Sequence, residues 1–444
     1  MKVVIIGASF AGVAAALETR KRHPNARIVL LEKQATLAYI PNGLHLYWKK
    51  EIEDLNKARF ITEEQLVKNH IDFHLGANVE KINTTQKTVN YNYQEKEEVI
   101  TYDKLIIAAG SKQLSEKING SAQESVLKYK RYDEAQAALA KVKESNHVTI
   151  IGGGQVGVEA ADLLTRQQKK VTIIESMDYV MFKYLDKDMI QPIQQAISDS
   201  GIDLKLGETV STIESKTNHK VTVNYGEESV TSDAVIMSVN VRPHLPFLDA
   251  HINLHIDQTI AVDRYLRTSV KDVFAVGDCI QLSGPDKDNI YIPLINNAVR
   301  TGIVAATNLN KPEIAFKGSL RTIGTKIFGH YIASTGMTES DSVFSNKTVK
   351  SSRQKIRLTS LPSTETAIVK WVYDAKTHVV LGAQLISTAN ILEKVNTLAL
   401  AIQTKQTIED LQQTDYFFHP SYTQMIATTN LVSWMGEGLF DDEN

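Results

Sequence analysis

Met1-Lys2-Val3-Val4-Ile5-Ile6-Gly7-Ala8-Ser9-Phe10-Ala11-Gly12 opens the chain, and its reading decides the fold. Val3 to Ile6 read as a short buried strand of a parallel sheet, and Gly7, Ser9 and Gly12 follow at the spacing of a dinucleotide-binding turn that opens a helix. The small residues serve different ends. Gly7 allows the reversal, Ser9 lets backbone approach a pyrophosphate, and Gly12 lets the helix pack on the strand. Phosphate oxygens would rest on the free amides of the helix start. About 20 residues further on, the strand Arg27 to Leu31 ends in Glu32, where a carboxylate accepts ribose hydroxyls.

A second turn of this kind follows and is cleaner. Val148 to Ile151 run into Gly152-Gly153-Gly154-Gln155-Val156-Gly157, a helix is expected from Val158 onward, and Val171 to Ile174 end in Glu175. The acidic end favours NADH over NADPH, because a 2′-phosphate beside a carboxylate is repelled. Two complete fingerprints in one chain imply two dinucleotides, and hence a flavin exchanging electrons with a nicotinamide.

Length suggests two or three domains with ample material for large cores. The 444 residues carry 49 Lys and Arg against 51 Asp and Glu, a net charge of -2. No basic block or polybasic helix points to nucleic acid, and no apolar run approaches the roughly 18 residues of a membrane span. Strand residues begin directly after Met1, so no signal peptide is expected and the cytoplasm is the expected compartment. The single cysteine excludes an intrachain disulfide framework and a Cys-rich metal site, and no His, Asp or Glu cluster has metal-ligand spacing.

Between and beyond the turns, Asn42 or Gly43 is read as the start of an apolar helix. Thr62-Glu63-Glu64-Gln65 has the form of a capping box, and Val79 to Val99 alternate as in an antiparallel meander. Tyr102 to Gly110 return to a buried strand with a small-residue end. Thr268 to Asp278 read as loop, buried strand and an Asp at the strand's carboxyl end, suited to the ribityl hydroxyls of a cofactor. Composition shifts after Gly318; Thr366 to Tyr373 are strand-like, and Ile391, Leu392, Val395, Leu398, Ala399 and Ile402 form one apolar helical face. The expected architecture is α/β: two Rossmann-like nucleotide-binding domains, for FAD (1–112 and 245–318) and NADH (113–244), plus a C-terminal α+β dimerisation domain (319–444).

GASFAG, LLEK, YDKLIIAAGS, IIGGGQVGVEAADLL, KYLDKD, SVNVRP, TSVKDVFAVGD, YIPLINNAVRTGIVAATNL, LGAQLIS and DYFFHP together resemble the FAD-dependent pyridine nucleotide-disulfide oxidoreductases. The likeness is to the branch of NADH oxidases, NADH peroxidase and coenzyme A-disulfide reductases, and it spans essentially the whole chain. It implies FAD ligands at Gly7, Phe10, Ala11, Gly12, Glu32, Lys33, Asn42, Val79, Ala109, Asp278, Leu294 and Ile295. It implies NADH ligands at Gly154, Val156, Gly157, Glu159, Glu175, Tyr184 and Asn240. A homodimer is implied too, with the C-terminal domain of one subunit closing the flavin site of the other.

Departures from the family pattern shape the expected chemistry. The family's S-F-L-S-C-G-x-x-L-Y stretch is Ala38-Tyr39-Ile40-Pro41-Asn42-Gly43-Leu44-His45-Leu46-Tyr47 here, so Asn42 holds the place of the redox cysteine. A carboxamide forms no thiolate and stores no electrons. Phe10 stands where the peroxidase has its active-site His, and Gln155 where a Tyr often covers the flavin. The expected function is an FAD-dependent NADH oxidase forming H2O2, or one passing electrons to another acceptor. The alternatives are a redox-silent NADH/FAD-binding dimeric sensor and an NADH-dependent reductase of a quinone or small redox protein. His45, three residues past Asn42 on the same helical face, is a candidate proton donor to reduced oxygen, with a packed or solvated His as the alternative. His419 stands where family members often have Gln, and the resemblance implies that it could reach the flavin of the partner subunit. Glu159 is expected to position nicotinamide or a nearby Lys and not to act as a base. Cys279 is expected along the FAD tail, away from the ring.

Overall fold

A computed structural model describes residues 1–113, 118–216, 220–239, 241–284, 289–359 and 365–423. The chain folds into two compact units. One holds the described residues of Met1–Glu144, Val239–Ser283 and Asp288–Ser319, the other those of Ser145–Ser238, Gly284–Lys287 and Leu320–Asn444.

In the first unit, strand Lys2–Ile6 lies between Arg27–Glu32 and Lys104–Ile107, and the parallel sheet is completed by Asp72–Leu75 and Val273–Ala275 at its edges. Val3, Val4 and Ile5 are wholly buried. This is the continuous apolar run of a strand covered on both faces, each such side chain contributing about 1.5–3 kcal/mol. Helix Phe10–Arg22 packs on helix Ile295–Thr307 through small residues, since a Cβ on Gly302 would lie 2.3 Å from the Ala11 carbonyl oxygen. Asn78–Asn83, Thr88–Tyr93 and Lys96–Thr101 form the antiparallel meander, and Thr62 and Gln65 make a reciprocal capping box on helix Glu63–Lys68. Asn42 occupies the N-cap position of the short helix Gly43–Trp48 and makes no side-chain cap bond.

The second unit repeats the plan. Strand His147–Ile151 runs between Lys170–Glu175 and Ala234–Met237, with Asp203–Leu206 beyond, all parallel. A second antiparallel meander, Val210–Ser215, Val221–Tyr225 and Glu228–Ser232, interrupts the chain at the same point of the topology as in the first unit. The helix after the second turn begins at Gln155 and not at Val158. Glycine's low helix propensity hides this start: Gly154 is an extended N-cap, and Gly157 is helical because its missing Cβ admits the Gly152 carbonyl.

Residues 320–423 add a five-stranded antiparallel sheet in the order Ile323–Ile327, His330–Gly336, Val380–Ser387, Thr366–Asp374, Val349–Arg357. The central strand Val380–Ser387 is buried at every position. The helix expected from Ile391 begins at Lys394; Ile391 is buried in the same core from the preceding turn, and Ala401 is buried beside Val395, Leu398 and Ile402. The described residues of 118–144 cluster with the first unit, where the Tyr132 hydroxyl donates to Asn56 at 2.7 Å. The C-terminal segment shares its unit with 145–238.

Candidate cofactor cradles and active site

The two glycine turns have one construction. Gly7 has φ +102° and Gly152 φ +106°, a region open to glycine. The Gly7 N–H donates to Leu31 O at 2.8 Å, as the Gly152 N–H does to Ile174 O at 2.9 Å. A Cβ on Gly12 would lie 1.8 Å from the Gly7 oxygen, and one on Gly157 2.0 Å from the Gly152 oxygen. The acid at the end of the neighbouring strand ties each turn down. Glu32 accepts from the N–H groups of Ala8 (2.7 Å) and Gln34 (2.8 Å). Glu175 accepts from those of Gly153 (2.6 Å) and Met177 (2.8 Å). Burial pushes the Glu32 carboxyl up, against the pull of those backbone donors.

The helix starts beside these turns fit phosphate. Ser9 and Gly154 make no side-chain cap, and neither first turn carries an acid. Helices Glu63–Lys68 and Ile408–Gln412 are closed by Thr caps and have two acids each in the first turn; Gln191–Asp199 and Lys394–Gln403 are uncapped too, but open from no glycine turn. Amides left uncapped at a glycine-lined helix start favour an anion, and a carboxylate set one strand away suits ribose. The residues present therefore fit a dinucleotide in each unit.

In the first unit Gly7, Glu32, Ala109 and Asp278 of the expected FAD residues lie at the carboxyl ends of the parallel strands, where open α/β sheets bind ligands. The N–H groups of Ala108 and Val276 donate to Ile6 O (2.8 Å) and Ile107 O (3.0 Å), which brings Gly7, Ala109 and the Gly277-Asp278 turn to one edge. Gly277 donates to Thr301 Oγ1 at 3.0 Å. Leu294 caps the helix that Ile295 begins, again without a side-chain cap or an acid in the first turn. Lys33 is exposed, and Val79 is buried on the meander.

Residues not singled out in the sequence surround Asp278. Its Oδ2 accepts from Ser111 Oγ at 2.8 Å and from Lys130 Nζ at 3.2 Å, while Lys130 also reaches Ser111 Oγ at 2.5 Å. The Tyr291 hydroxyl donates to the Asp278 carbonyl at 3.0 Å, and Arg242 lies over the Tyr291 ring at 4.4 Å. Burial pushes the Tyr291 phenol well up. Ser111 directly follows the small-residue strand end and so has a visible cue; Lys130, in a Lys-Tyr-Lys-Arg run, reads as a solvated face.

The candidates for chemistry are placed as follows. Asn42 is exposed, and its carbonyl accepts from the N–H groups of His45 (3.0 Å) and Leu46 (3.3 Å). Phe10 stacks on Phe60 with ring centroids 3.9 Å apart. His45 is 1% exposed, with Nε2 3.0 Å from the Tyr129 hydroxyl and its ring stacked on Trp48, which is the packed alternative. His419 is exposed and stacks on Tyr422. Cys279 is fully buried, and its Sγ donates to the carbonyls of Val276 (3.0 Å) and Ile107 (3.3 Å). Burial pushes its thiol up to about 12.

In the second unit Glu159 is buried on helix Gln155–Arg166, where its Oε1 accepts from Gln155 Nε2 at 3.0 Å and Thr325 Oγ1 at 2.5 Å. Val156 is exposed at the helix start beside Gly154. The half-buried Tyr184 has its phenol pushed up by burial, with the charges of Arg321 and Glu159 acting on it in opposite senses. Asn240 lies outside the described residues. Among the described residues no group of His, Cys, Asp and Glu could hold a metal ion, and no helix is long and apolar enough to cross a membrane.

Comparison with known proteins bears directly on these cradles. Residues 1–302 match the family model described as pyridine nucleotide-disulphide oxidoreductase, and residues 323–430 that family's dimerisation domain. The chain is 31% identical over 439 residues to a protein of Enterococcus faecalis named NADH oxidase, covering 98% of each. It is similar to a solved pyridine nucleotide-disulfide family oxidoreductase from Enterococcus faecalis (TM-score 0.90, 40% identity, 98% of this chain and 100% of that one). It is also similar to a water-forming NADH oxidase from Lactobacillus brevis bound to NADH (TM-score 0.95, 30% identity, 99% and 98%). The duplicated glycine turns, their acidic strand ends and these full-length matches converge: the chain belongs to the pyridine nucleotide-disulphide oxidoreductase family.

Proposed function

We propose that this protein is an FAD-dependent NADH oxidase that forms hydrogen peroxide, working as a cytoplasmic homodimer. The overall reaction, NADH + H⁺ + O2 → NAD⁺ + H2O2, moves one electron pair. Gly7, Gly12 and Glu32 hold the pyrophosphate and adenosine ribose of FAD, with Asp278 on its ribityl chain; Gly154, Gly157 and Glu175 do the same for the phosphates and ribose of NADH. Bound FAD supplies the hydride acceptor and a store for two electrons. Glu159 orients the nicotinamide. The match to the family's dimerisation domain over 323–430 supports the dimer.

The observation that carries the peroxide assignment is the absence of a usable thiol. The chain's one cysteine is Cys279, sealed in the core with its Sγ on two carbonyls. Asn42 stands at the position implied for the family's redox cysteine, and a carboxamide neither attacks peroxide nor carries electrons. Reduction therefore stops at two electrons and peroxide leaves. Anaerobic titration with NADH should bleach the flavin at about one equivalent per FAD. In air, peroxide should equal NADH consumed. Uptake of a second equivalent, or clean formation of water, overturns the reading. Tight NADH binding without steady oxidation by oxygen or a quinone would point to the sensor.

A further inference from the structure

We propose that Thr325, on the C-terminal antiparallel sheet, is a positioning residue for NADH, acting by setting the carboxylate of Glu159. This rests on the reading of Glu159 as the residue that orients the nicotinamide. Strand Ile323-Gly324-Thr325-Lys326-Ile327 alternates buried and exposed, and Thr325 occupies an inward position between two buried isoleucines. An apolar side chain is the ordinary occupant of such a position, and a hydroxyl there needs a partner. Its partner is Glu159 Oε1 at 2.5 Å, on the helix that opens from the second glycine turn.

Gln155 Nε2 reaches the same oxygen from one helical turn earlier, at 3.0 Å. Two donors from different elements on one carboxylate oxygen restrain the rotation of the carboxylate plane. Gln155 sits on the same helix as Glu159 and moves with it. The hydroxyl from the sheet ties the carboxylate to a second element. Hydride transfer depends on near-attack geometry, so a carboxylate aimed at the nicotinamide carboxamide matters more to the nicotinamide end of the dinucleotide than to its adenosine end. The glycine turn and Glu175 hold the adenosine half without help from Thr325.

The test separates the two ends of the ligand. Purified FAD-loaded protein, with Thr325 intact or changed to Val, is titrated anaerobically with NAD⁺ and with ADP-ribose, which lacks the nicotinamide. Stopped-flow bleaching by NADH gives the reduction rate. In Thr325→Val, NAD⁺ binding should weaken or flavin reduction slow by about tenfold, the scale of one lost charge-assisted hydrogen bond. ADP-ribose binding should be unchanged, and Thr325→Ser, which keeps the hydroxyl, should restore both. Thr325→Ala removes the same group without a branched methyl and serves if the valine variant does not fold. Unchanged NAD⁺ binding and reduction in the hydroxyl-less variants, or equal losses for both ligands, overturns the proposal. Glu159→Gln is the control for the reading beneath it. If that change also leaves NAD⁺ binding and reduction untouched, it is the role of Glu159 that fails; if it impairs them while the threonine variants do not, only the role of Thr325 fails.

Discussion

Replacing Cys279 by Ser tests whether any sulfur takes part in turnover. The thiol is fully buried, its Sγ donates to Val276 O and Ile107 O, and burial raises it from 9.0 to about 12. At pH 7 the thiolate is then about one part in 10⁵, roughly a thousandfold scarcer than for an unhindered thiol, and the thiolate is the nucleophile. An aromatic disulfide reagent should leave native protein unlabelled over the time in which denatured protein releases about one equivalent. Cys279→Ser retains a donor for the same carbonyls, so it should cost about 1 kcal/mol of stability. FAD content and NADH turnover should be unchanged. Labelling of native protein at the rate of a free thiol, together with loss of turnover in Cys279→Ser while FAD stays bound, would refute the reasoning.

Two further perturbations follow from the geometry. Gly157→Ala places a Cβ 2.0 Å from the Gly152 carbonyl oxygen, so the helix start must move; NADH binding should weaken at least about tenfold while flavin absorbance per chain is preserved, as one distorted cradle predicts. Lys370, 2% exposed, donates to Asp188 at 2.8 Å and pairs with Asp186 (3.3 Å) and Glu339 (2.7 Å), and Lys370→Met should cost about 3–5 kcal/mol in denaturant unfolding because Asp186 stays buried without its cation. Burial alone would raise the Asp186 carboxyl, but the Ser340 N–H, the Gln384 amide, the Glu339 N–H and Lys370 hold it below 3.8. Its contribution is thus present above that value and lost as pH falls through the depressed one. Burial works against the Lys370 ammonium too, and the Asp188 and Glu339 carboxylates outweigh it and hold the group above 10.5. That contribution is complete below 10.5 and is lost as pH rises through the raised value. Melting temperature against pH should fall at both extremes in the parent, and the alkaline fall should be smaller in Lys370→Met.

What can be read from the sequence divides by the kind of constraint involved. Gly7, Gly12 and Gly157 are legible because the turn demands a missing atom: a Cβ would strike a carbonyl, and for Gly12 and Gly157 that carbonyl lies within the same short segment, so the requirement is written locally, while Gly152 is required by its positive φ. Glu32 and Glu175 are legible because a strand end at a fixed distance from that turn is also a local pattern. The partners of those groups are not. Lys130 and Asp278, or Gln384 and Asp186, are brought together only by the tertiary fold, across 148 and 198 residues, and nothing periodic marks them. The second meander escapes the sequence because its strands do not alternate: Val221–Tyr225 is buried at four of its five positions, and Gly226 is its one plain turn signal. Thr325 lies between these cases. A lone hydroxyl at an inward position of an alternating strand is visible in the sequence as an anomaly, but its meaning is not, because the acid it serves sits 166 residues earlier on another element. Glu159 is legible as a residue and its surroundings are not: its Oε1 accepts from Gln155 one helical turn earlier, which is a local pattern, and from Thr325 on a strand 166 residues later, which is not.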